Sequence, residues 1–541
     1  MKINEKLLYK LLNILILIPL LIIIIKIIDN AFNIVGISSL FNCYNEVRDF
    51  PTLRLTEFII NGINPYKISF LNELNVPFFN LYPGLLSLIT AIICKCTGIN
   101  VISGHYIVNL TLLLLTCYNI WLITKNCFYN YKIIALICIF LNAATFFTMF
   151  GVPIYTFRGD AIGIYVISLI YLIVFKNKKH TFLLAVLSIL LIFTKQFLIV
   201  TALPLFIYYL ISDKKLAFKY LFKLIVLGII TFITIQILFP LHWAESIYRM
   251  YLCNSDYGTF SEAVHNISDF YKIYRYYLIL ILVGIICAIR YNFILKFNQK
   301  TEYNIFKFFQ NIKNNNEYII FLILNLFFGT LVLLYVAKCG GDAPKYCRDL
   351  LSVPLFIFTI LIWHKIFQKY ILINNRNIEI KKFILILGIF FVTLFTYNQF
   401  PKFEFTYENI KDIIELDSFL EKYKNEKIYL GCETTGYLIK NKIYDVPNIW
   451  YNNCHIGGFN PNESRWELIN KLMFNRELSN LTNQHNNTIK EMVKNKEFKI
   501  MVCSDEDWEF FELKNNYYPK ESFQYNIPNS NLAITVYHPK E

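Results

Sequence analysis

The chain is punctuated by apolar runs close to the ~20 residues an α-helix needs to cross a hydrocarbon core. Leu11 to Ile28, Tyr106 to Thr124 and Phe383 to Thr396 are examples. Only 17% of the 541 residues are charged, against roughly 25% in a soluble domain, so water is not the main solvent of this chain. The first run exceeds the ~7 to 15 residues of a signal-peptide core and lacks a small-residue cleavage site after it, so it is expected to stay as a retained helix. The formal charge of +14 goes with abundant Lys, Ile and Asn, the signature of an AT-rich genome, and calls for no nucleic-acid partner.

The fold class expected is a polytopic α-helical membrane protein with about 11 transmembrane helices. Spans are placed near 11 to 28, 105 to 124, 133 to 149, 161 to 175, 181 to 194, 196 to 211, 224 to 239, 276 to 289, 318 to 337, 350 to 363 and 383 to 398. With the N-terminus inside, the inner connections and the first ten residues carry 22 Lys or Arg against five acids. The outer connections carry 12 of each. Lys and Arg resist translocation, so this asymmetry puts the N-terminus in the cytoplasm and everything after 400 outside it. Phe78 to Ile93 is apolar enough for a short span, but counting it would invert every later loop. It is therefore expected to lie on, or dip into, the outer face, inside a first outer loop running from about 29 to 104.

Beyond Pro401 the pattern changes. Tyr407 to Tyr423 and Arg465 to Phe474 read as helices, Lys427 to Gly431 and Phe498 to Cys503 as short buried strands. The division is residues 1–399 as a membrane module and 400–541 as a small soluble extracytoplasmic α/β domain. Cysteines are scattered; Cys339 and Cys347 flank one outer loop and would be free to pair in an oxidising compartment, two free thiols being the commoner arrangement.

Charge at membrane depth is costly and usually functional. Five polar places gather, by the charge-based topology, on the outer face. The first loop holds Glu46 and Asp49, then Gly62-Ile63-Asn64-Pro65-Tyr66, then Tyr82-Pro83-Gly84-Leu85. Arg158-Gly159-Asp160 opens the fourth span, and Thr194-Lys195-Gln196 joins the fifth and sixth. His242 to Glu245 starts another outer loop. Gly341 to Tyr346, containing Lys345 and followed by Arg348, precedes the tenth span. Structural readings stand beside the functional ones: Glu46 and Asp49 as solvated loop charges, Arg158 with Asp160 as a helix-start ion pair, Lys195 as the punctuation of a tight hairpin, Gly62 and Pro65 as loop shapers.

In the order and spacing of these motifs the sequence resembles the GT-C superfamily, membrane glycosyltransferases that use polyprenyl-phosphate-linked sugars. That superfamily includes protein mannosyltransferases, the lipid A aminoarabinose transferase and the oligosaccharyltransferase catalytic subunit. The bacterial mannosyltransferase-like, or Rgt-like, branch is the most similar. There an acid in the first outer loop precedes a Gly-x-Asn-Pro-Tyr element, as Glu46 precedes Gly62 to Tyr66. A Tyr-Pro helix follows, as at Tyr82-Pro83, and the Arg-x-Asp and Thr-Lys-Gln elements match Arg158 to Asp160 and Thr194 to Gln196. The likeness covers roughly residues 40 to 200, with an echo at Gly341 to Tyr346.

The resemblance implies an extracytoplasmic-face hexosyltransferase in a bacterial inner membrane. Its donor would be a polyprenyl-phosphate sugar and its acceptor a glycan, lipid or protein. Glu46 or Asp49 would be the catalytic base, with Glu46 favoured by its distance from Gly62. Arg158, Lys195, Lys345 and Arg348 would bind the donor phosphate, supported by Asp160, Tyr66, Tyr82 and Gln196. No cofactor is required by this reading, although Glu46, Asp49 and Asp160 have the oxygen chemistry to hold a divalent cation. The rival classes are a multi-pass transporter or lipid flippase, and a non-enzymatic membrane protein with a ligand-binding outer domain. The absence of an internal repeat and the placement of ionisable groups at span ends argue against a transporter.

Overall fold

A computed structural model describes residues 50–67, 83–124, 159–239, 317–338, 349–355, 407–431, 449–451, 487–503, 512–527 and 530–541, with a few single positions such as Phe157. The spans expected at 11–28, 133–149 and 383–398, and the helix expected at 465–474, lie outside the described residues. So do Cys339 and Cys347.

The membrane part is helical throughout its described length. Its elements are α1 (Phe50–Ile60), α2 (Leu85–Thr97), α3 (Val101–Thr124), α4 (Asp160–Asn177), α5 (Thr181–Ile192), a 3-10 segment (Gln196–Thr201), α6 (Ala202–Ser212), α7 (Lys214–Leu238) and α8 (Glu317–Lys338). Among the described residues, α3, α4 and α7 are long and apolar enough to cross a membrane.

Several expected boundaries shift for local reasons. The span placed at 224–239 begins ten residues earlier, because the Asp213 carboxylate accepts from the amides of Lys215 and Leu216 and so caps α7. The span placed at 196–211 opens with six residues of 3-10 helix. Residues within the expected first loop fold into α1 and α2.

Alpha1 ends where Gly62, at φ +74°, lets the amide of Ile63 reach the Phe58 carbonyl at 2.8 Å and that of Gly62 reach Ile59 at 3.1 Å. This is a Schellman stop, and the left-handed conformation it needs favours glycine. Alpha2 does not cross the bundle. Its first amide, Leu85, bonds the Phe193 carbonyl at 3.2 Å. Its far end, at Cys94, lies beside Gly104 near the start of α3. Both ends of α2 therefore sit at the same end of the bundle, as expected for a helix dipping into one face.

Helix packing uses small residues and shared hydroxyls where no aqueous phase is at hand to solvate polar groups. Asn119 of α3 donates to Ser168 of α4 at 2.9 Å, and the Tyr220 hydroxyl of α7 donates at 2.8 Å to Ser188 Oγ of α5, whose own proton goes to the Leu184 carbonyl. Aromatic contacts dock α8: Tyr171 and Tyr208 lie 4.8 and 5.3 Å from Phe321, and Phe175 stacks on Tyr318 at 4.6 Å. Alpha7, by contrast, buries only Ala217 and Tyr220. Its Phe222 and Ile237 are 69% and 73% exposed, a face that suits acyl chains and would be a liability in water.

Among the described residues, the C-terminal part is built on a five-stranded sheet, order β2-β1-β3-β5-β4, from β1 (Ile428–Leu430), β2 (Ile449–Tyr451), β3 (Ile500–Cys503), β4 (Tyr517–Ile527) and β5 (Ser530–Pro539). Beta1 runs parallel to β2 and β3, while β5 is antiparallel to β3 and β4. The period-2 alternation of strands gives the sheet two buried faces. Ile428, Leu430, Ile500, Val502, Ile534 and Val536 meet Leu416 and Leu420 of the preceding helix α9 (Tyr407–Glu421). Tyr429, Met501 and Cys503 meet Ile489, Met492 and Val493 of the helical residues 487–494. The expected strands at 427–431 and 498–503 are β1 and β3. The long β4–β5 hairpin is additional, and its edge strand β4 carries Pro519 beside a bulge, where a missing amide does least harm.

Gly159 lies close against the Thr194 backbone: a Cβ on Gly159 would sit 2.3 Å from the Thr194 carbonyl oxygen. Gly159→Ala is expected to cost about 1–3 kcal/mol by overpacking, read as a lowered unfolding temperature in detergent. Gly228→Ala, whose Cβ would rest 3.6 Å from Ile189, should be neutral or gain up to about 1 kcal/mol of helix propensity.

Candidate active site

Three segments far apart in sequence converge where α4 begins and α5 ends. Asp160 is the first residue of α4, at the positive pole of its dipole. Lys195 sits in extended conformation between α5 and the 3-10 segment. Asp349 lies in the helical residues 349–355. The Lys195 ammonium forms an ion pair with Asp160 and donates to Asp349 Oδ2 at 2.7 Å. All three side chains are essentially buried.

The local sequence makes this possible. Gly159 lets α4 meet the Thr194 backbone without a side chain between them. The turn at Phe193 and Thr194, whose amides bond Leu190 and Leu191, aims Lys195 back at the α4 N-terminus. Gln196 and Thr194 are buried beside it, and Phe197 lies 5.9 Å from the ammonium, within cation–π range.

A second buried polar cluster surrounds α1. Arg54 and Glu57 pair with each other in the core, the guanidinium lying 5.1 Å from the Phe58 ring. The Thr52 carbonyl accepts from Thr56 at 2.9 Å and from Ser87 of α2 at 3.0 Å. Since the Thr56 hydroxyl is spent on that carbonyl, its contact with His105 Nε2 at 2.8 Å makes Nε2 the donor. Nδ1 then accepts from Thr90, 3.4 Å away. His105, from α3, thus ties α1 to α2 while neutral, closed off by Phe157 at 5.5 Å. Alpha1 begins at Phe50, directly after Asp49.

Of the residues expected from sequence, the structure brings Asp160, Lys195 and Gln196 together. Tyr66 is buried elsewhere at this end of the bundle: its ring meets Phe239 edge-on at 6.4 Å. Its amide bonds Asn64 Oδ1 at 3.1 Å, while the Asn64 side-chain amide reaches the last carbonyl of α7, Leu238, at 3.1 Å. The Asn-Pro-Tyr element therefore fastens the first loop to α7, in keeping with its loop-shaping reading.

Glu46, Asp49, Tyr82, Arg158, Lys345 and Arg348 lie outside the described residues. Asp160 pairs with Lys195, and among the described residues no group of three or more His, Cys, Asp or Glu forms a metal cage.

Sequence reading did not single out Asp349, Arg54, Glu57 or His105. Asp349 had one signal, an acid sharing the head of an apolar run with Arg348.

No protein-family model matches the chain, and no curated protein matches it in sequence. Solved structures with a similar fold include one bound to a lipid. ArnT from Cupriavidus metallidurans bound to undecaprenyl phosphate has a TM-score of 0.51 and 9% identity, over 95% of this chain and 97% of that one. The apo form of ArnT from the same organism has a TM-score of 0.46 and 11% identity, over 91% and 93%. The likeness to the lipid-bound form is one of fold alone: the chain shares the overall fold of that protein.

Breaking a buried charge group by removing one partner costs about 3–5 kcal/mol. Lys195→Met should lose that much in thermal unfolding, because two carboxylates are stranded. The triple variant Lys195→Met, Asp160→Asn, Asp349→Asn should recover most of the loss. Unchanged stability in Lys195→Met would show that the three charges do not act as a unit.

Proposed function

We propose that the chain is a membrane glycosyltransferase that moves a sugar from a polyprenyl-phosphate donor to an acceptor on the extracytoplasmic face. The observation that carries this reading is the buried Asp160–Lys195–Asp349 group, held in a fold shared with a protein whose structure contains undecaprenyl phosphate. Buried charge at the end of a helix bundle is expensive, and a phosphorylated lipid is a ligand that would use it: tail among apolar helices, phosphate at the polar end.

Charge counting refines the roles expected from the motifs. One ammonium and two carboxylates sum to −1 when all are ionised, which repels phosphate. Lys195 therefore organises the site and does not act as a free cationic clamp. The phosphate-binding cations are Arg158 and Arg348, carried two residues and one residue ahead of the paired aspartates, with Lys345 beside them. Lys195 draws Asp160 and Asp349 together, and Arg158 and Arg348 are their neighbours in sequence.

The base is Glu46 or Asp49, a few residues ahead of α1, whose seat the His105 and Arg54 contacts fix. Its carboxylate takes the proton of an acceptor hydroxyl as that oxygen bonds to the anomeric carbon. The carbon–oxygen bond to the phosphate breaks, and the departing polyprenyl phosphate keeps the electron pair, offset by the arginines. Residues 1–399 form the catalytic module in a bacterial inner membrane, and 400–541 an outer domain facing the acceptor. A hexose donor and the mannosyltransferase-like branch rest on the sequence motifs.

Glu46→Gln and Asp49→Asn, made separately and assayed with a labelled polyprenyl-phosphate sugar, should differ. The variant of the base should lose about 10²–10⁴-fold in transfer, the range of general-base catalysis, while still binding the donor. Undiminished transfer in both would remove the proposed base.

A further inference from the structure

At the end of the bundle opposite Lys195 the chain gathers a second set of charges, of one sign. The turn from α4 to α5 carries Lys176, Lys178 and Lys179, and the start of α7 carries Lys214, Lys215, Lys219 and Lys223. Contacts among α4, α5, α6 and α7 hold these two stretches at one end of the bundle. The Tyr209 hydroxyl of α6 donates to the Lys178 carbonyl at 2.5 Å, Ser188 meets Tyr220, and Lys223 Nζ donates to Thr181 Oγ1 at 2.9 Å.

Asp213 is the one acid between residues 176 and 223, and its carboxylate is engaged in capping α7. Among the described residues, no carboxylate pairs with Lys176, Lys179, Lys214, Lys215, Lys219 or Lys223.

The lysines do not simply point to water. Lys219 and Lys223 are four apart, so they share a stripe of α7. Lys223 reaches back toward the helix start, its ammonium 6.0 Å from the Phe182 ring, as a lysine does when its stem lies along apolar surface and its charge seeks the interface. Phe182, Phe218 and Phe222 stand 57%, 63% and 69% exposed beside it. The N-terminus of α5, which has no side-chain cap, opens at the same place and adds the positive end of its dipole.

We propose that this end of the bundle is a binding site for anionic phospholipid headgroups of the surrounding leaflet. The phosphate is held by Lys219, Lys223 and the α5 N-terminus, and the acyl chains lie against Phe218 and Phe222. Retention of positive loops in the cytoplasm accounts for the number of lysines. It does not account for two separate stretches being joined around one snorkelling lysine, an open helix start and exposed phenylalanines. Charge complementarity selects the occupant: an anionic headgroup meets Lys219 and Lys223, which no acid among the described residues neutralises. The site is separate from the sugar-transfer site and stands whether or not that reading holds.

The test uses the full-length protein in detergent, titrated with phosphatidylglycerol and, as control, phosphatidylcholine, with bound lipid counted by native mass spectrometry. Phosphatidylglycerol should bind more tightly. Lys219→Gln with Lys223→Gln should weaken it about twentyfold, taking roughly fivefold per lysine near an anionic surface. The charge-matched pair Lys494→Gln with Lys499→Gln, on the C-terminal part, should leave binding unchanged. Equal affinity for the two lipids, or equal weakening by both pairs, overturns the proposal. Should the first pair not fold, Lys179→Gln with Lys215→Gln, both exposed, carries the same expectation, and unaltered affinity there overturns it equally.

Discussion

A charged side chain enclosed among apolar helices persists only if its partner is enclosed with it, and this requirement organises the end of the bundle where α4 begins. Lys195 satisfies it with two carboxylates from segments 35 and 154 residues away in the chain. The pairing works only because Gly159 admits the Thr194 backbone. Without that close approach the ammonium would not reach the α4 N-terminus, and Asp160 and Asp349 would have no common anchor. The polar end of the fold is therefore a consequence of a glycine and a tight turn as much as of the charges themselves.

The same logic governs α1. A helix carrying Arg54, Glu57, Thr52 and Thr56 has too many polar groups to be a membrane span and too much burial to be a loop. Arg54 pairs with Glu57, the Thr52 carbonyl accepts from Thr56 and from Ser87 of α2, and Thr56 meets His105 of α3. That gives the segment directly after Glu46 and Asp49 a fixed seat. The two clusters divide the work: one joins Asp160, Lys195 and Asp349, and the other fixes α1 against α2 and α3. The opposite end of the bundle is simpler, a lysine-rich rim with exposed phenylalanines.

Much of this was legible in the sequence, and the misses have physical causes. Span positions follow from apolar run length, so α3, α4 and α8 lie close to expectation. The early start of α7 was hidden because lysines lower hydropathy, although Asp213-Lys214-Lys215 carries a capping signal. Asp160 and Lys195 were visible as ionisable groups at span ends. That Lys195 is already doubly paired, and that Asp349 is its partner, depends on contacts across the chain that no local pattern encodes. Beta4 and β5 were missed because Pro519, Lys520 and Glu521 interrupt the alternation at the bulge, where an edge strand tolerates them. The GT-C motifs pointed to a fold that the ArnT comparison supports, while the roles of individual residues rest on chemistry.

The most direct measurement is a cryo-electron microscopy structure of the full chain with a polyprenyl-phosphate lipid bound. The account predicts the lipid phosphate at the end of the bundle marked by Asp160, Lys195 and Asp349, with its tail against the helices. A phosphate seated instead at the opposite end, beside Thr181 and Lys223, or a lipid that leaves the Lys195 end vacant at saturating concentration, would contradict it.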